Sequence, residues 1–427
     1  MRIVYSILLA LALPLIVARL FWRSFKLRGY RENIAERFAR YQQPSTHGCI
    51  WIHAVSVGET RAALPLIRRL KLRYPARQIL LTGMTPTGRA TAQELFDDVV
   101  TSVYLPVDFV ALHQRLIDQF RPSILLIMET EIWPNLLAAC QQNAIPALIV
   151  NARLSEKSLR RYSRVAAARA LVQEALQSMR VVVAQSVDDA ERFRILGALS
   201  ADKIVVTGNI KFDVVTEPAQ IARGGQWRAA QPHRHVLLCA STREGEEALL
   251  LAAYMRVFDA EARRNTLLVL VPRHPQRFDE VAGEIKDAGL RCVRRSLGMA
   301  GIDTCDVLLG DSMGEMAAYY SLCDIAIIGG SFLPLGGQNL IEACALGKPV
   351  IMGPSIFNFA STVRLAADAG AMEQVSDAPE AMHVAHQLLR DDVRRKNMSE
   401  AGFKLIGANR GATEKTLAQI VSVLGEK

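Results

Sequence analysis

The sequence predicts an α/β protein made of two Rossmann-like domains. Short apolar runs alternate with helix-length amphipathic stretches along nearly all of the 427 residues. Continuous apolar strands separated by helices belong to parallel sheets covered on both faces. The alternation pauses over residues 213–234, a polar stretch with Pro and Gly ("TEPAQIARGGQWRAAQPHRH"), and then restarts. The length also exceeds one ordinary core and suits two domains of about 150–200 residues each. Ligands of such sheets bind at the carboxyl ends of the strands, so two facing domains predict a central cleft. Half of the residues are apolar and no segment is of low complexity, which excludes a disordered chain.

The first forty residues stand apart. They hold Arg2, Arg19, Arg23, Lys26, Arg28, Arg31, Arg37 and Arg40 against Glu32 and Glu36, a net of +6 out of +9 for the whole chain. A nucleic-acid binder would spread its basic face over a folded domain. Here the charge adjoins "IVYSILLALALPLIVA", Ile3 to Ala18, sixteen residues without a formal charge, followed by "RLFWRSFKLR". The run is short for a span of about 20 residues. The single arginine before it, the cations after it and the lack of an A-x-A-like site argue against a cleaved signal peptide. Residues 1–40 are therefore expected to be a membrane anchor or interfacial helix with a basic segment, in contact with anionic lipid. Cations on that side keep the remainder of the chain in the cytoplasm.

Strands are expected at "IWIHA", "QILLTG", "SVYLP", "ILLIMET", "ALIVNA", "VVVAQ" and "KIVVTGN", within a domain of residues 41–212. After the linker, a second domain of residues 235–427 carries "HVLLCAS", "TLLVLVPR", "CDVLLG", "DIAIIGGS" and "PVIMG", followed by C-terminal helices. Seven cysteines lie scattered, mostly in apolar runs and never as C-x-x-C, which suits core residues of a reducing compartment.

Polar residues gather at the strand ends of the first domain. "HAVSVGET" places His53, Ser56 and Glu59 after the first strand, and "TGMTPTG" follows the next. The run "ILLIMETEIWPN" ends in Glu129, Glu131, Trp133 and Asn135, and "VNARLS" supplies Asn151 and Arg153. Each has a structural reading as well. A carboxylate such as Glu59 in a first helical turn is favoured by the helix dipole by about 0.3–1 kcal/mol, and Glu131 could cap the helix that Pro134 enters. Convergence at several strand ends is what indicates a site.

In the second domain, "CASTREGEE" offers Ser241 and Thr242 as an N-cap pattern or as part of a phosphate cradle. "VPRHPQRF" brackets Arg273 and His274 between prolines, and "GDSMGEM" carries Gly310, Met313, Gly314 and Glu315. "GGSFLPLGGQNLIEACALGKPVIMGP" has two glycine pairs, then Asn339 and Glu342 opening a helix on one face, within reach of a base or ribose. No D-x-D, no G-x-x-x-x-G-K-[ST] and no G-x-G-x-x-G occurs. A transfer from an activated phosphate ester, needing neither metal nor other cofactor, is the economical expectation.

Over essentially its whole length the chain resembles the 3-deoxy-D-manno-octulosonic acid (Kdo) transferases, membrane-associated glycosyltransferases of lipopolysaccharide inner-core synthesis. The motifs that carry the resemblance are "HAVSVGET", "TPTG", "METEIWPN", "NARLS", "VPRHPQRF", "GDSMGE" and "FLPLGGQNLIEACALGKPVIMGP", in that order. The resemblance implies a two-domain GT-B fold, CMP-Kdo as donor and a lipid A precursor as acceptor at the cytoplasmic face of the inner membrane. It implies Glu59 as general base. CMP contacts would fall on Pro272 and Arg273, on Met313, Gly314 and Glu315, and on Asn339, Leu340, Ile341 and Glu342. Where the family often has proline and leucine, this chain has Leu340 and Ile341, apolar exchanges without chemical consequence. His53, Ser56, Glu129 and Glu131 are expected to support the acceptor or the transition state, and Arg273 with the glycine-rich helix start to stabilise departing CMP. The place of Glu59 before a helix is expected to keep it ionised. A sugar-nucleotide epimerase of the same architecture would need no anchor, and a non-catalytic binder would not need Glu59.

Overall fold

The computed structural model describes residues 1–26, 28–96, 99–214 and 216–425. The chain divides into two units, Met1–Asp213 with Asn409–Lys427, and Val214–Ala408.

The first unit is built on a parallel sheet of seven strands: β1 (Ile50–His53), β2 (Ile79–Gly83), β3 (Val100–Tyr104), β4 (Ile124–Met128), β5 (Ala147–Ala152), β6 (Val181–Ala184) and β7 (Ile204–Val206). Their order is β3-β2-β1-β4-β5-β6-β7. Ile50 of β1 lies opposite Ile79 on one side and Ile124 on the other. Side chains alternate between the two faces. Trp51, Leu125 and Ile127 enter one core, whereas Ile50, Ile52 and Leu126 enter the other. Burial on both faces explains why these strands read as unbroken apolar runs. The order changes direction between β1 and β4, so the loops after these two strands diverge and leave a crevice at their carboxyl ends.

The second unit repeats the design with β8 (His235–Thr242), β9 (Thr266–Pro272), β10 (Cys292–Arg294), β11 (Val307–Leu309), β12 (Ile325–Ile328), β13 (Val350–Met352) and β14 (Met372–Gln374). The order is β10-β11-β9-β8-β12-β13-β14, all parallel, with the change of direction between β8 and β12.

The expected boundaries need three corrections. Residues 213–234 are not a bare linker, because they hold a helix, Pro218–Ala229, packed against the helix Met316–Leu322. Gly224 makes this possible: a Cβ there would sit 2.2 Å from the Ala318 carbonyl oxygen, and Trp227 stacks on Tyr319 at 5.5 Å. The last helix, Ala412–Leu424, belongs to the first unit. The Asp213 carboxylate accepts from the backbone N–H groups of Gly411 (2.7 Å) and Thr413 (2.6 Å), capping that helix where no side chain of its own does. Finally, the first unit's core begins before residue 41. Glu36 is buried and accepts from the Tyr104 N–H at 2.8 Å and from Arg89 at 2.7 Å. Arg37 is buried as well, donating to the Met84 carbonyl at 2.9 Å over the ring of Tyr104, so this cation is structural rather than interfacial.

Candidate active site

Glu59 sits at the crevice of the first sheet. Ser56 caps the helix Val57–Arg73, its hydroxyl accepting from the Glu59 N–H. The Glu59 carboxylate reaches back, accepting from the Val55 N–H at 2.7 Å and from the Ser56 hydroxyl at 3.1 Å. This is a capping-box exchange, so the structural reading of Glu59 is realised. The electrostatics add a second role. Burial, helped by the charges of Glu129 and Glu131 and opposed by the Val55 N–H that favours the charged form, pushes its carboxyl up to about 7. The expectation that the helix start keeps Glu59 ionised is thereby corrected. Desolvation and like charges outweigh the dipole, and the group is poised to take or give a proton near neutrality.

The two companions come from the loop after β4, across the change of strand direction. Glu129 adopts a left-handed backbone (φ 58°) and pairs with Lys211 at 2.5 Å. Lys211 was not singled out in the sequence. It comes after β7, and Asn151, itself left-handed, holds its segment by accepting from the Ile210 N–H at 3.1 Å. Burial raises the Glu131 carboxyl, and the charge of Glu129 adds to it. Glu131 is not the cap of the helix Pro134–Gln142. That task falls to Asp108, whose carboxylate accepts from the Asn135 and Leu136 N–H groups at 3.2 and 2.9 Å.

His53 is wholly buried. Its Nδ1 lies 2.9 Å from the Thr82 hydroxyl and its ring meets Trp133 edge to face at 6.1 Å. Burial lowers its pKa to about 4, so it is neutral at physiological pH. His53 is thus a strut between β1, β2 and the Trp133 loop. The "TPTG" turn is another brace: Thr85 accepts from the Gly88 N–H at 3.1 Å and donates to the Val55 carbonyl, beside Glu59.

In the second unit, the loops after β8 and β12 are locked together by Glu246. Its carboxylate is fully buried and accepts from Gly330 N–H (2.6 Å), Phe332 N–H (2.9 Å) and Arg243 N–H (2.8 Å). Glu247, equally buried, accepts from Thr242 at 2.8 Å and from Arg277 at 2.6 Å. The expected cap at Ser241–Thr242 is replaced by Gly245, since Ser241 turns left-handed (φ 56°) and Thr242 faces Glu247. At Gly329 a Cβ would stand 2.6 Å from the Thr242 Cα, which only glycine avoids.

Pro272 ends β9 and the Arg273 N–H donates to the Thr242 carbonyl at 2.9 Å, fixing the Arg273 backbone at the same crevice. His274 lies under the converging charges of Arg243, Arg273 and Arg277, which, after burial, hold its pKa down. Met313 is exposed, and Gly314 is left-handed (φ 74°) with open space about it. Glu315 is buried. Burial alone would raise its carboxyl, but Ser312, Arg295 and Arg223 hold it below the usual carboxylate range. Asn339 and Glu342 do share a side, the Asn339 amide donating to the Glu342 carboxylate at 3.1 Å. The Leu340 and Ile341 side chains are buried in the core, and the Ile341 N–H donates to Asn339. The helix there spans only Ile341–Ala345, so glycine-loop N–H groups rather than a helix dipole are the available anion donors. Among the described residues, no three His, Cys, Asp or Glu side chains gather as a metal site would require.

Two Rossmann-like units, each with a crevice at its change of strand direction, have the architecture of the GT-B glycosyltransferases. Residues 32–214 match the family described as 3-Deoxy-D-manno-octulosonic-acid transferase (kdotransferase), and residues 254–405 match Glycosyl transferases group 1. The 3-deoxy-D-manno-octulosonic acid transferase of Bordetella pertussis is 42% identical over 436 residues, covering 99% of this chain and 100% of that protein. That of Haemophilus influenzae is 35% identical over 421 residues, covering 97% of each. The chain belongs to the Kdo transferase family and is a Kdo transferase. The fold is shared more widely: the UDP-GlcNAc 2-epimerase of Neisseria meningitidis superposes with a TM-score of 0.59 at 15% identity, over 87% of this chain and 99% of that one.

Proposed function

We propose that the protein moves Kdo from CMP-Kdo to a hydroxyl of a lipid A precursor, at the cytoplasmic face of the inner membrane, in lipopolysaccharide synthesis. The observation that carries the mechanism is Glu59, a half-buried carboxyl held near 7 at the crevice of the first sheet. Its carboxylate takes the acceptor hydroxyl proton as the new bond forms to the Kdo anomeric carbon and the bond from that carbon to the phosphate oxygen breaks. Positioned general bases of this kind contribute about 10²–10⁴-fold, and the sugar passes through an oxocarbenium-like state. CMP leaves as a phosphate monoester. Arg273 and the N–H groups of the glycine loops are suited to accept that charge, so the reaction proceeds without a metal in this reading. Met313, Gly314, Asn339 and Glu342 make up the nucleotide contacts, while Glu315 acts through its arginines. Ser56, Glu129 and Glu131 set the ionisation and orientation of Glu59, with His53 bracing them.

The test is transfer by purified protein from CMP-Kdo to a tetra-acylated, bis-phosphorylated lipid A precursor in EDTA, read by mass. Kdo increments that vanish in Glu59→Gln support the reading. No increment from a folded, CMP-binding protein overturns the acceptor, and inhibition by EDTA that is reversed by a divalent ion overturns metal independence.

A further inference from the structure

The N-terminal helix, Arg2–Lys26, is long and apolar enough to cross a membrane. Its contacts argue otherwise. At its start the Tyr5 hydroxyl donates to Asp108 at 2.9 Å, the Asn135 amide donates to the Ser6 hydroxyl at 2.9 Å, and Arg2 lies 3.8 Å from Glu174. At its end Arg31 donates to the buried Ser24 at 2.5 Å and stacks over Phe21 and Phe25. The adjoining turn packs on the "TPTG" corner, where a Cβ on Gly29 would lie 2.7 Å from Pro86. Both ends are therefore fastened to the same unit. A helix crossing about 30 Å of hydrocarbon would carry its first turn to the far side, out of reach of Asp108 and Asn135.

Exposure along the helix repeats this division. Leu9, Leu13, Ile16 and Leu20 are half-buried at helical spacing, in line with Tyr5 and Ser24. Ile3, Leu8, Leu11, Leu15, Trp22 and Phe25 form the opposite stripe and are all exposed. The helix lies along the unit by one face and offers an apolar stripe, ending in aromatics beside Arg19 and Arg23, to whatever covers it. An apolar stripe flanked by cations matches the headgroup boundary of an anionic bilayer.

From this geometry we infer that the helix is a strap lying in the plane of an anionic membrane surface, not a crossing segment. Apart from the Arg2–Glu174 pair, its fastenings are on loops after β2, β3 and β4, the carboxyl-end rim that bears Glu59. The strap thus sets that rim against the lipid from which a lipid-linked acceptor would enter. The inference rests on the membrane reading proposed above, and the experiment separates the two.

An epitope tag before Met1 and another after Lys427 would be followed by protease treatment of intact spheroplasts and of lysed ones. Both tags should survive in intact spheroplasts and be digested after lysis, with the protein in the membrane fraction. Loss of the Met1 tag alone in intact spheroplasts overturns the strap while leaving membrane attachment in place. Recovery of the protein in the soluble fraction overturns both. In a second arm, Leu11→Glu with Leu15→Glu should lower binding to phosphatidylglycerol-containing vesicles at least tenfold. Unchanged binding would overturn the assignment of that stripe to lipid.

Discussion

The two units put the same feature, the change in strand direction, to opposite electrostatic ends. At the β1/β4 crevice burial, together with the charges of Glu129 and Glu131, drives Glu59 up to about 7, while Glu129 pairs with Lys211. At the β8/β12 crevice the acids are consumed. Glu246 is satisfied by three backbone N–H groups, and Glu247 by Thr242 and Arg277. Nearby, burial alone would raise Asp311, but Ser296 and Arg294 hold it below the usual range. The same rim carries Arg243 and Arg273 near His274 and left-handed glycine backbone. In the reading proposed above, a shared fold serves as proton acceptor in one unit and as anion cradle in the other, according to how its carboxylates are buried and paired.

The sharpest way to break this contrast is Glu59→Gln, which keeps the capping geometry and removes the base. Turnover should fall by about 10²–10⁴-fold with CMP binding unchanged, measured by transfer kinetics and calorimetry. Stability should move the other way. The folded carboxyl lies above its ordinary 4.5, so ionising it opposes folding, and that cost grows as pH rises from 4.5 to about 7. Above pH 7 the variant should be more stable by about 1–3 kcal/mol in denaturant titrations. Lower stability together with retained turnover would reduce Glu59 to a cap.

Next is Glu246→Ala in the other unit, which strands the buried N–H of Gly330 and the part-buried ones of Phe332 and Arg243, at up to about 1–3 kcal/mol apiece. A loss of about 3 kcal/mol or more is expected, with weakened CMP binding, while Glu246→Gln should retain part of both. A variant with full CMP affinity would show that the glycine loop is not held by this carboxylate.

These contrasts also mark how far the sequence could be read. Among the described residues, twelve of the fourteen strands coincide with or overlap apolar runs that stand out in the chain. The two that do not, Cys292–Arg294 and Met372–Gln374, have three residues each and form the sheet edges at β10 and β14, where half-exposed strands carry no continuous apolar signal. Glu59, Glu129 and Glu131 were legible because each comes soon after a buried strand. Lys211 was not, since it meets Glu129 only after 82 residues of intervening fold. Glu246 and Glu247 read as ordinary first-turn acids, and nothing local distinguishes a solvated pair from a buried one. The segment 213–234 misled for a related reason: its Gly224 serves close helix packing, which in sequence looks like looseness.

The same electrostatics set the wild-type pH profile. Because the base form is needed, kcat/KM should rise with pH through about 7 and then level off, and a flat profile from about pH 5.5 to 8.5 would remove Glu59 from the rate.

The finest test lies in the neighbours. Glu129→Gln removes a like charge from beside Glu59 and also releases Lys211 from its ion pair, and both changes favour the ionised form of Glu59. The acid limb should shift to lower pH, giving on the order of twofold to fivefold more activity at about pH 6 relative to the variant's own plateau. The charge of Glu131 raises Glu59 less than that of Glu129, so the shift in Glu131→Gln should have the same sign and be smaller. Normalising to each plateau separates this effect from any loss of acceptor binding. If both variants keep the wild-type limb, the group titrating in the profile is not Glu59, and the crowding of carboxyls at this crevice would serve substrate placement alone.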